Sequence, residues 1–249
     1  MIDRLYIENE LNNYPYIIDV VETVTSTNTI MKEAAKHGKE TYSVLIASSQ
    51  TAGRGRKGRS FYSPDGSGIY MSVLLRPENG INPLHITTDA AVAVANALEK
   101  LSGEIAEIKW VNDIYIRDRK VAGILAEASV GEGGYVVLGI GINVLEPEGG
   151  FPDDIKMRAG SVFRENADFL REKIAIEILK ELYLKRTDEE VLSEYRNRSI
   201  IDGKDIDIIK NGSVERAVAL TIDDDYSLVV KKEDGSIENI NSGDVSIRI

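Results

Sequence analysis

Hydrophobic positions along this chain follow one texture up to about residue 197 and a different one after residue 199. In the first stretch a helical pattern starts at Ser26, placed as its N-cap, and runs through Met31, Ala34 and Ala35 to a stop at Gly38. Residues 44–47 are a short apolar run that reads as a buried strand, and residues 69–75 resume the strand pattern. Between them lies a polar, glycine-rich stretch broken by Pro64-Asp65-Gly66. Pro83 suits a first helical turn, and Ala90, Val94 and Leu98 carry that helix to Gly103. Residues 105–110 and 114–116 read as strands, Arg117-Asp118-Arg119-Lys120 as a hairpin turn, and 121–126 as the strand it feeds. A turn at 131–134 leads into a strand at 135–144. Two helices close the stretch, 167–185 and 188–197, the first carrying Leu170, Ile174, Ile178, Leu179 and Leu182 on one side.

Beyond residue 199 the apolar runs are short and alternating, at 206–209, 217–222, 228–230 and 245–249. Turn residues separate them: Asn211-Gly212, Asp223-Asp224-Asp225 and Asp234-Gly235. Strands of this length and spacing predict a small β-barrel of about 50 residues. The expected division is therefore 1–199 and 200–249.

Composition narrows the chemistry. The chain has no Cys, which excludes disulfides, thiolate nucleophiles and Cys-based zinc sites, and its two His argue against a histidine metal site or a Ser-His-Asp triad. A net charge of −11 disfavours non-specific nucleic-acid binding. No apolar stretch is long enough to span a bilayer and the start lacks a signal-peptide core, so the chain reads as cytoplasmic. Against this acidic background Gly53-Arg54-Gly55-Arg56-Lys57-Gly58-Arg59 packs four cations into seven residues.

Gly53, Gly55 and Gly58 satisfy the dinucleotide-binding spacing, but Ser60-Phe61-Tyr62-Ser63-Pro64 cannot open the helix that motif needs. The P-loop pattern fails as well. What remains is a glycine loop interleaved with guanidinium groups, suited to wrapping phosphate or carboxylate oxygens. The bland alternative is a solvated basic loop. Lys109-Trp110-Val111-Asn112-Asp113, at a strand end, holds the sole Trp and reads equally as a core Trp before a polar turn. Lys120, where the hairpin turn feeds its strand, reads either as an ordinary turn lysine or as a cation at the sheet edge. Gly139 and Gly141, inside a strand, imply close approach by a ligand or by another backbone.

In order and wording these blocks, with Thr25-Ser26-Thr27-Asn28, Gln50-Thr51-Ala52, Lys120-Val121-Ala122-Gly123-Ile124-Leu125 and Gly139-Ile140-Gly141-Ile142-Asn143, resemble the biotin–protein ligases. The resemblance implies an α+β fold, a mixed β-sheet flanked by helices of the class II synthetase type, with a small C-terminal SH3-like β-barrel. It implies an enzyme that joins biotin and ATP, with Mg²⁺, into biotinyl-5′-adenylate. The biotinyl group then passes to a lysine of a biotin carboxyl carrier domain. By the family pattern Arg56, Lys120 and Asp113 are catalytic: Arg56 closes over phosphate and carboxylate, Lys120 stabilises developing charge, and Asp113 orients or deprotonates the incoming lysine. Ser26, Thr27, Asn28 and Gln50 would hydrogen-bond the ureido ring and nearby ligand atoms. Arg54 and Arg59 would meet the adenylate, Trp110 would form an apolar wall, and Asn112 would hold ligand or metal. Gly53, Gly55, Gly123, Gly139, Gly141, Phe61 and Asn143 complete the expected binding set, and the Mg²⁺ ligands stay unassigned.

Two positions depart from the family pattern. Val111 stands where Pro is usual, and Phe61 where many relatives have Trp, so that stacking there would rest on a smaller ring. A DNA-binding helix-turn-helix ahead of the ligase blocks is not expected, because they begin near residue 23. That and the acidity argue against a DNA partner. A homodimer through an edge strand is compatible with this fold. Two other readings are carried: a lipoate or octanoate ligase, against which the G-R-G-R block argues, and a non-catalytic biotin-binding regulator, against which Arg56 and Lys120 argue.

Overall fold

The computed structural model describes residues 2–77, 82–131, 133–210, 213–241 and 244–247. Its first unit is a seven-stranded sheet in the order β1-β2-β3-β7-β6-β5-β4. These are β1 (Ile17–Val24), β2 (Ser43–Gln50), β3 (Gly68–Leu75), β4 (Glu107–Lys109), β5 (Asp113–Ile116), β6 (Arg119–Ser129) and β7 (Tyr135–Asn143). β1 and β2 are parallel and every other neighbouring pair is antiparallel. The mixed sheet follows from the connections: α2 (Thr27–Lys36) carries the chain from β1 to a parallel neighbour, and turns or longer returns join the rest.

Helices cover both faces. Met31 and Ala35 of α2 pack on Leu45, Leu74, Tyr135 and Val137. The other face is closed by α3 (Pro83–Ser102) and α4 (Leu170–Tyr183), whose Ala90, Val94, Leu98, Ile174 and Ile178 join the main core. Small residues let α3 lie close to the sheet; Asn82 accepts the amides of Leu84 and His85 at its start, and Gly103 ends it in the left-handed conformation. A short α1 (Arg4–Glu10) precedes β1, and α5 (Asp188–Asn197) opens on a reciprocal Thr187–Glu190 capping box.

The second unit is a five-stranded antiparallel sheet, β11-β10-β9-β8-β12, formed by β8 (Asp205–Lys210), β9 (Ser213–Ile222), β10 (Leu228–Lys232), β11 (Ile237–Ile240) and β12 (Asp244–Ile247). The expected Asn211-Gly212 turn and strand end at 248–249 lie outside the described residues, as does Glu132 of the 131–134 turn. The two sheets share one core: Ile206, Ala217, Tyr226 and Leu228 cluster with Trp110, Val111 and Tyr195.

Several boundaries move. The expected strand at 105–110 shrinks to β4, with Ile105 exposed and Trp110 in the following turn. The 167–185 helix is α4, three residues later at its start and two earlier at its end, with Phe169 in the left-handed region at its N-cap. The 117–120 turn tightens to Arg117 and Asp118, both at positive φ, the geometry of a two-residue hairpin loop.

Candidate active site

The polar end of the sheet, where α2 begins, opens into a cleft of about 710 Å³ measured out to its mouth. Its wall includes Ser26, Thr27, Asn28, Gln50, Arg54, Gly55, Arg56, Arg59, Phe61, Asn112, Asp113, Lys120, Gly123, Gly139 and Gly141. A second cleft of about 1030 Å³ adjoins it and shares Arg59, Ser60, Phe61, Asp113 and Lys120. Ile209, Val245 and Ser246 of the second sheet line that cleft together with Lys109, Tyr115, Asn143 and Arg158.

The floor of the first cleft is a closed set of hydrogen bonds. Gln50 accepts the Thr27 amide at 2.9 Å through Oε1 and donates from Nε2 to Ser63 Oγ at 2.9 Å, and Ser63 in turn donates to the Phe61 carbonyl at 2.9 Å. Ser72, fully buried on β3, stands 2.6 Å from Asn28 Oδ1 and 2.8 Å from Thr27 Oγ1. An amide oxygen only accepts, so the Ser72 proton goes to Asn28 and the Thr27 hydroxyl is left to donate to Ser72 or to Gln50. Asn28 Nδ2 donates to Glu127 Oε2 at 3.0 Å and to the Leu125 carbonyl at 3.3 Å. Every member is thereby oriented before a ligand arrives.

Glu127 joins this floor to the loop above it. It takes Lys32 at 2.8 Å and Arg54 at 3.1 Å as well as Asn28. Burial pushes its carboxyl up, but the hydrogen bonds from Lys32 and Asn28 and the charges of Lys32 and Arg54 outweigh that and hold it below the ordinary glutamate range.

The glycine–arginine loop is a tight turn. Gly55 donates to the Arg59 carbonyl at 2.7 Å, Arg59 donates to the Arg56 carbonyl at 3.1 Å, and Lys57 and Gly58 sit at φ 53° and 76°. Arg56 Nη1 donates to Asn112 Oδ1 at 3.1 Å, and Asn112 Nδ2 donates to the Ile124 carbonyl at 2.8 Å. At Gly53 a Cβ would lie 2.4 Å from the Phe61 carbonyl oxygen and 2.6 Å from Ser63 Oγ, so only glycine lets this stretch cross itself.

Lys120 reaches the cleft because of an irregularity in β6. Asp113 pairs with Gly123 and Ile114 with Ala122, but Tyr115 pairs with Lys120, leaving Val121 as an extra residue. In a regular strand Lys120 would share the buried face of Ala122; the bulge turns it to the face of Asp113 and Gly123. Its Nζ stands 2.6 Å from Asp113 Oδ1, and its backbone is clasped by the Arg158 carbonyl and the Gly160 amide.

One expectation is corrected. Trp110 forms no wall of either cleft: it is buried, and its Nε1 donates to the Tyr226 carbonyl at 3.0 Å, tying the two sheets together. Gly139 and Gly141 make room for the chain's own side chains. A Cβ at Gly139 would lie 2.1 Å from Asn28 Oδ1, and one at Gly141 would lie 2.6 Å from the Phe61 ring. Phe61 itself stands between the two clefts, edge-on to Tyr70. Asn143 faces only the second cleft and donates to the Gly160 carbonyl at 3.1 Å. Ser72, Ser63, Glu127 and Lys32 were not anticipated. A serine inside an apolar strand and a glutamate at a strand end carry no local mark of a site.

A mixed-sheet domain with a cationic loop closing a polar cleft, followed by a small antiparallel sheet, defines a ligase-type architecture. Residues 20–143 match the biotin/lipoate A/B protein ligase family and residues 203–248 match the biotin protein ligase C-terminal domain. A biotin--[acetyl-CoA-carboxylase] ligase of Mycobacterium tuberculosis is 32% identical over 242 residues, covering 92% of this chain and 88% of that protein. The chain belongs to this family. The bifunctional ligase/repressor BirA of Bacillus spizizenii is 37% identical over 150 residues, 59% of this chain, and the matched part is 46% of that longer protein. The chain thus spans just under half the length of some of the relatives it matches. Among solved structures, the biotin protein ligase from Aquifex aeolicus in complex with biotin and ATP superposes with a TM-score of 0.79 at 25% identity, covering 94% of this chain and 99% of that one.

Proposed function

We propose that this chain is an ATP-dependent ligase that forms biotinyl-5′-adenylate and transfers the biotinyl group to one lysine of a biotin carboxyl carrier protein. The observation that carries this reading is the junction of two clefts at Lys120, Asp113 and Phe61. A polar, hydrogen-bonded cleft on one side suits the ureido ring of biotin. A larger cleft lined by Arg59, Lys109, Lys120 and Arg158 suits a triphosphate. The biotin carboxylate would attack the α-phosphorus where they meet, with pyrophosphate leaving. Lys120 and Arg56 are placed to offset the charge gathered there. The amine of the carrier lysine would then attack the acyl carbon and expel AMP. Asp113, once Lys120 has turned to the phosphate, is the carboxylate available to accept that amine's proton.

No three carboxylate or imidazole groups cluster into a metal site among the described residues. The cleft offers Asp113 and the Asn112 amide instead, which fits a Mg²⁺ ion that arrives on phosphate and keeps most of its waters. Such an ion would neutralise phosphate charge. No described helix is long and apolar enough to cross a membrane. The proposed division at 199–200 falls between α5 and β8; Ile200, the first residue past it, still donates to the Ile108 carbonyl of β4, so the chain leaves the first sheet only after that residue. A homodimer would form through an edge strand of the larger sheet, which ends in β1 and β4.

The test is incubation with biotin, MgATP and a purified carrier domain, read by intact mass. Gain of one biotinyl group on the carrier is expected. No adenylate and no mass shift would overturn the reading, and transfer of lipoate in preference to biotin would replace it.

A further inference from the structure

The cationic loop is less uniform than its sequence. Arg54, Arg56 and Arg59 line the first cleft, whereas Lys57, in the middle of the run, lines neither cleft. Its backbone is at φ 53°, a conformation that a residue with a side chain adopts at a cost, and the side chain leaves the loop in another direction. It crosses to the second sheet, where Nζ donates to the Ile209 carbonyl at 3.0 Å. Ile209 lies on β8 and forms part of the wall of the second cleft with Val245 and Ser246. The cations therefore lean on three different elements: Arg54 on Glu127 of β6, Arg56 on Asn112 before β5, and Lys57 on β8.

We infer that Lys57 is a positioning residue that latches the glycine–arginine loop to the C-terminal sheet. Through it that sheet holds the loop shut over the bound adenylate. The acceptor is a backbone carbonyl, so the latch depends on the donor at residue 57 and not on the side chain at residue 209. The role in retaining an adenylate rests on the proposed ligase reading; the mechanical coupling of loop to sheet does not.

The test compares the full-length protein with Lys57→Met, which keeps the aliphatic stem and removes the ammonium, and with Lys57→Arg. Backbone hydrogen exchange is followed by mass spectrometry in the ligand-free protein. In Lys57→Met, exchange should rise several-fold in two segments together, 54–59 and 205–210, with Lys57→Arg restoring both. Release of preformed biotinyl-adenylate should accelerate about fivefold in Lys57→Met, with KM for biotin unchanged. Faster exchange in the loop alone, or parental exchange in both segments, would overturn the latch. Coupled exchange with parental adenylate release would overturn its role in retention. Failure of the parent to make adenylate would overturn the ligase reading, and the exchange comparison would still decide the latch.

Discussion

At the floor of the cleft Ser72, Thr27, Asn28 and Gln50 hold one another in a buried set in which each polar group already has a partner within the protein. At its mouth Arg54, Arg56 and Lys57 each rest on a different element through one charge pair or hydrogen bond, and they are partly open to water. A buried set loses unpaired polar groups whenever one member goes, so it is costly to disturb. A single exposed contact of Arg54 or Arg56 is worth little and is easily exchanged for a ligand oxygen, whereas Lys57, which lines neither cleft, keeps its partner on β8. The floor is therefore built to recognise and the mouth to open and close. Substitutions at the floor should cost stability and binding together, and those at the mouth should leave stability alone.

Lys120 stands where the two regions meet, and its replacement should have the largest effect. Lys120→Ala is expected to cost about 3 kcal/mol in adenylate formation, the scale for removing a preorganised charge-stabilising donor. The melting temperature should hardly move, because the ammonium is a third exposed and among the described residues pairs only with Asp113. Pyrophosphate release measured at saturating substrates checks this; a rate within threefold of the parent would remove Lys120 from the reacting site.

Gly139→Ala tests the floor by crowding it. The added Cβ meets the Asn28 amide on a backbone that cannot withdraw, since β7 is paired on both sides. Overpacking of this kind costs about 2 kcal/mol of stability. Biotin affinity should fall with it, as Asn28 is pushed off Ser72 and Glu127. Thermal unfolding and calorimetric titration together make the check, and weak binding in a fully stable variant would contradict the idea of one coupled floor.

Glu127→Gln probes the seam between the regions. An amide at this position loses the charge of the pairs with Lys32 and Arg54, at about 1.5 kcal/mol by the scale for hydrogen bonds to charged groups. The sign with pH follows from the depressed carboxyl of Glu127. A lowered folded-state pKa gives stability that is present above the unfolded value and is lost as pH falls through the folded one. The parent should thus be more stable than the variant at pH 7, and the two should converge only once the pH falls below the ordinary glutamate range. Melting curves across that range decide it, and parallel curves would show that Glu127 acts only by shape.

The mouth was far more legible in the sequence than the floor. Guanidinium groups alternating with glycine are conspicuous on an acidic chain, because their function depends on local charge and on a backbone that only glycine permits. Gln50 and Ser26 were reached by wording shared with a family, since a glutamine at a strand end has no physical mark of its own. Ser72 escaped because it lies between Met71 and Val73 in an apolar strand and gains meaning only when α2 is laid over it. Trp110 was misplaced for a related reason: the residue type announces burial, but whether it is buried against a ligand or against Tyr226 is set by a contact 116 residues away. The strand β1 went unread because Asp19 and Glu22 interrupt its apolar pattern at a sheet edge, where their side chains reach water. The bulge that aims Lys120 is likewise invisible until the register between β5 and β6 is known.

Arg56→Gly should have the smallest effect on the free protein and a specific one on the complex. The guanidinium makes one hydrogen bond, to Asn112, from a short turn whose following residue, Lys57, is already at positive φ. Asn112 keeps its anchor on Ile124 when Arg56 is gone, so nothing in the core is left unpaired. The melting temperature is expected to stay within about 2 °C of the parent, a change of about 1 kcal/mol or less for a chain of this size. What should change is retention. Without the guanidinium over phosphate and carboxylate, adenylate release should speed up about tenfold, the equivalent of roughly 1.4 kcal/mol and within the range for a charge-assisted hydrogen bond. Released adenylate would then label lysines on bystander proteins, which a mass-spectrometric count of biotinylated albumin measures directly. Unchanged release with unchanged stability would mean that Arg56 leans on Asn112 without closing over the ligand, and the division of labour between floor and mouth would have to be redrawn around Arg54 and Arg59.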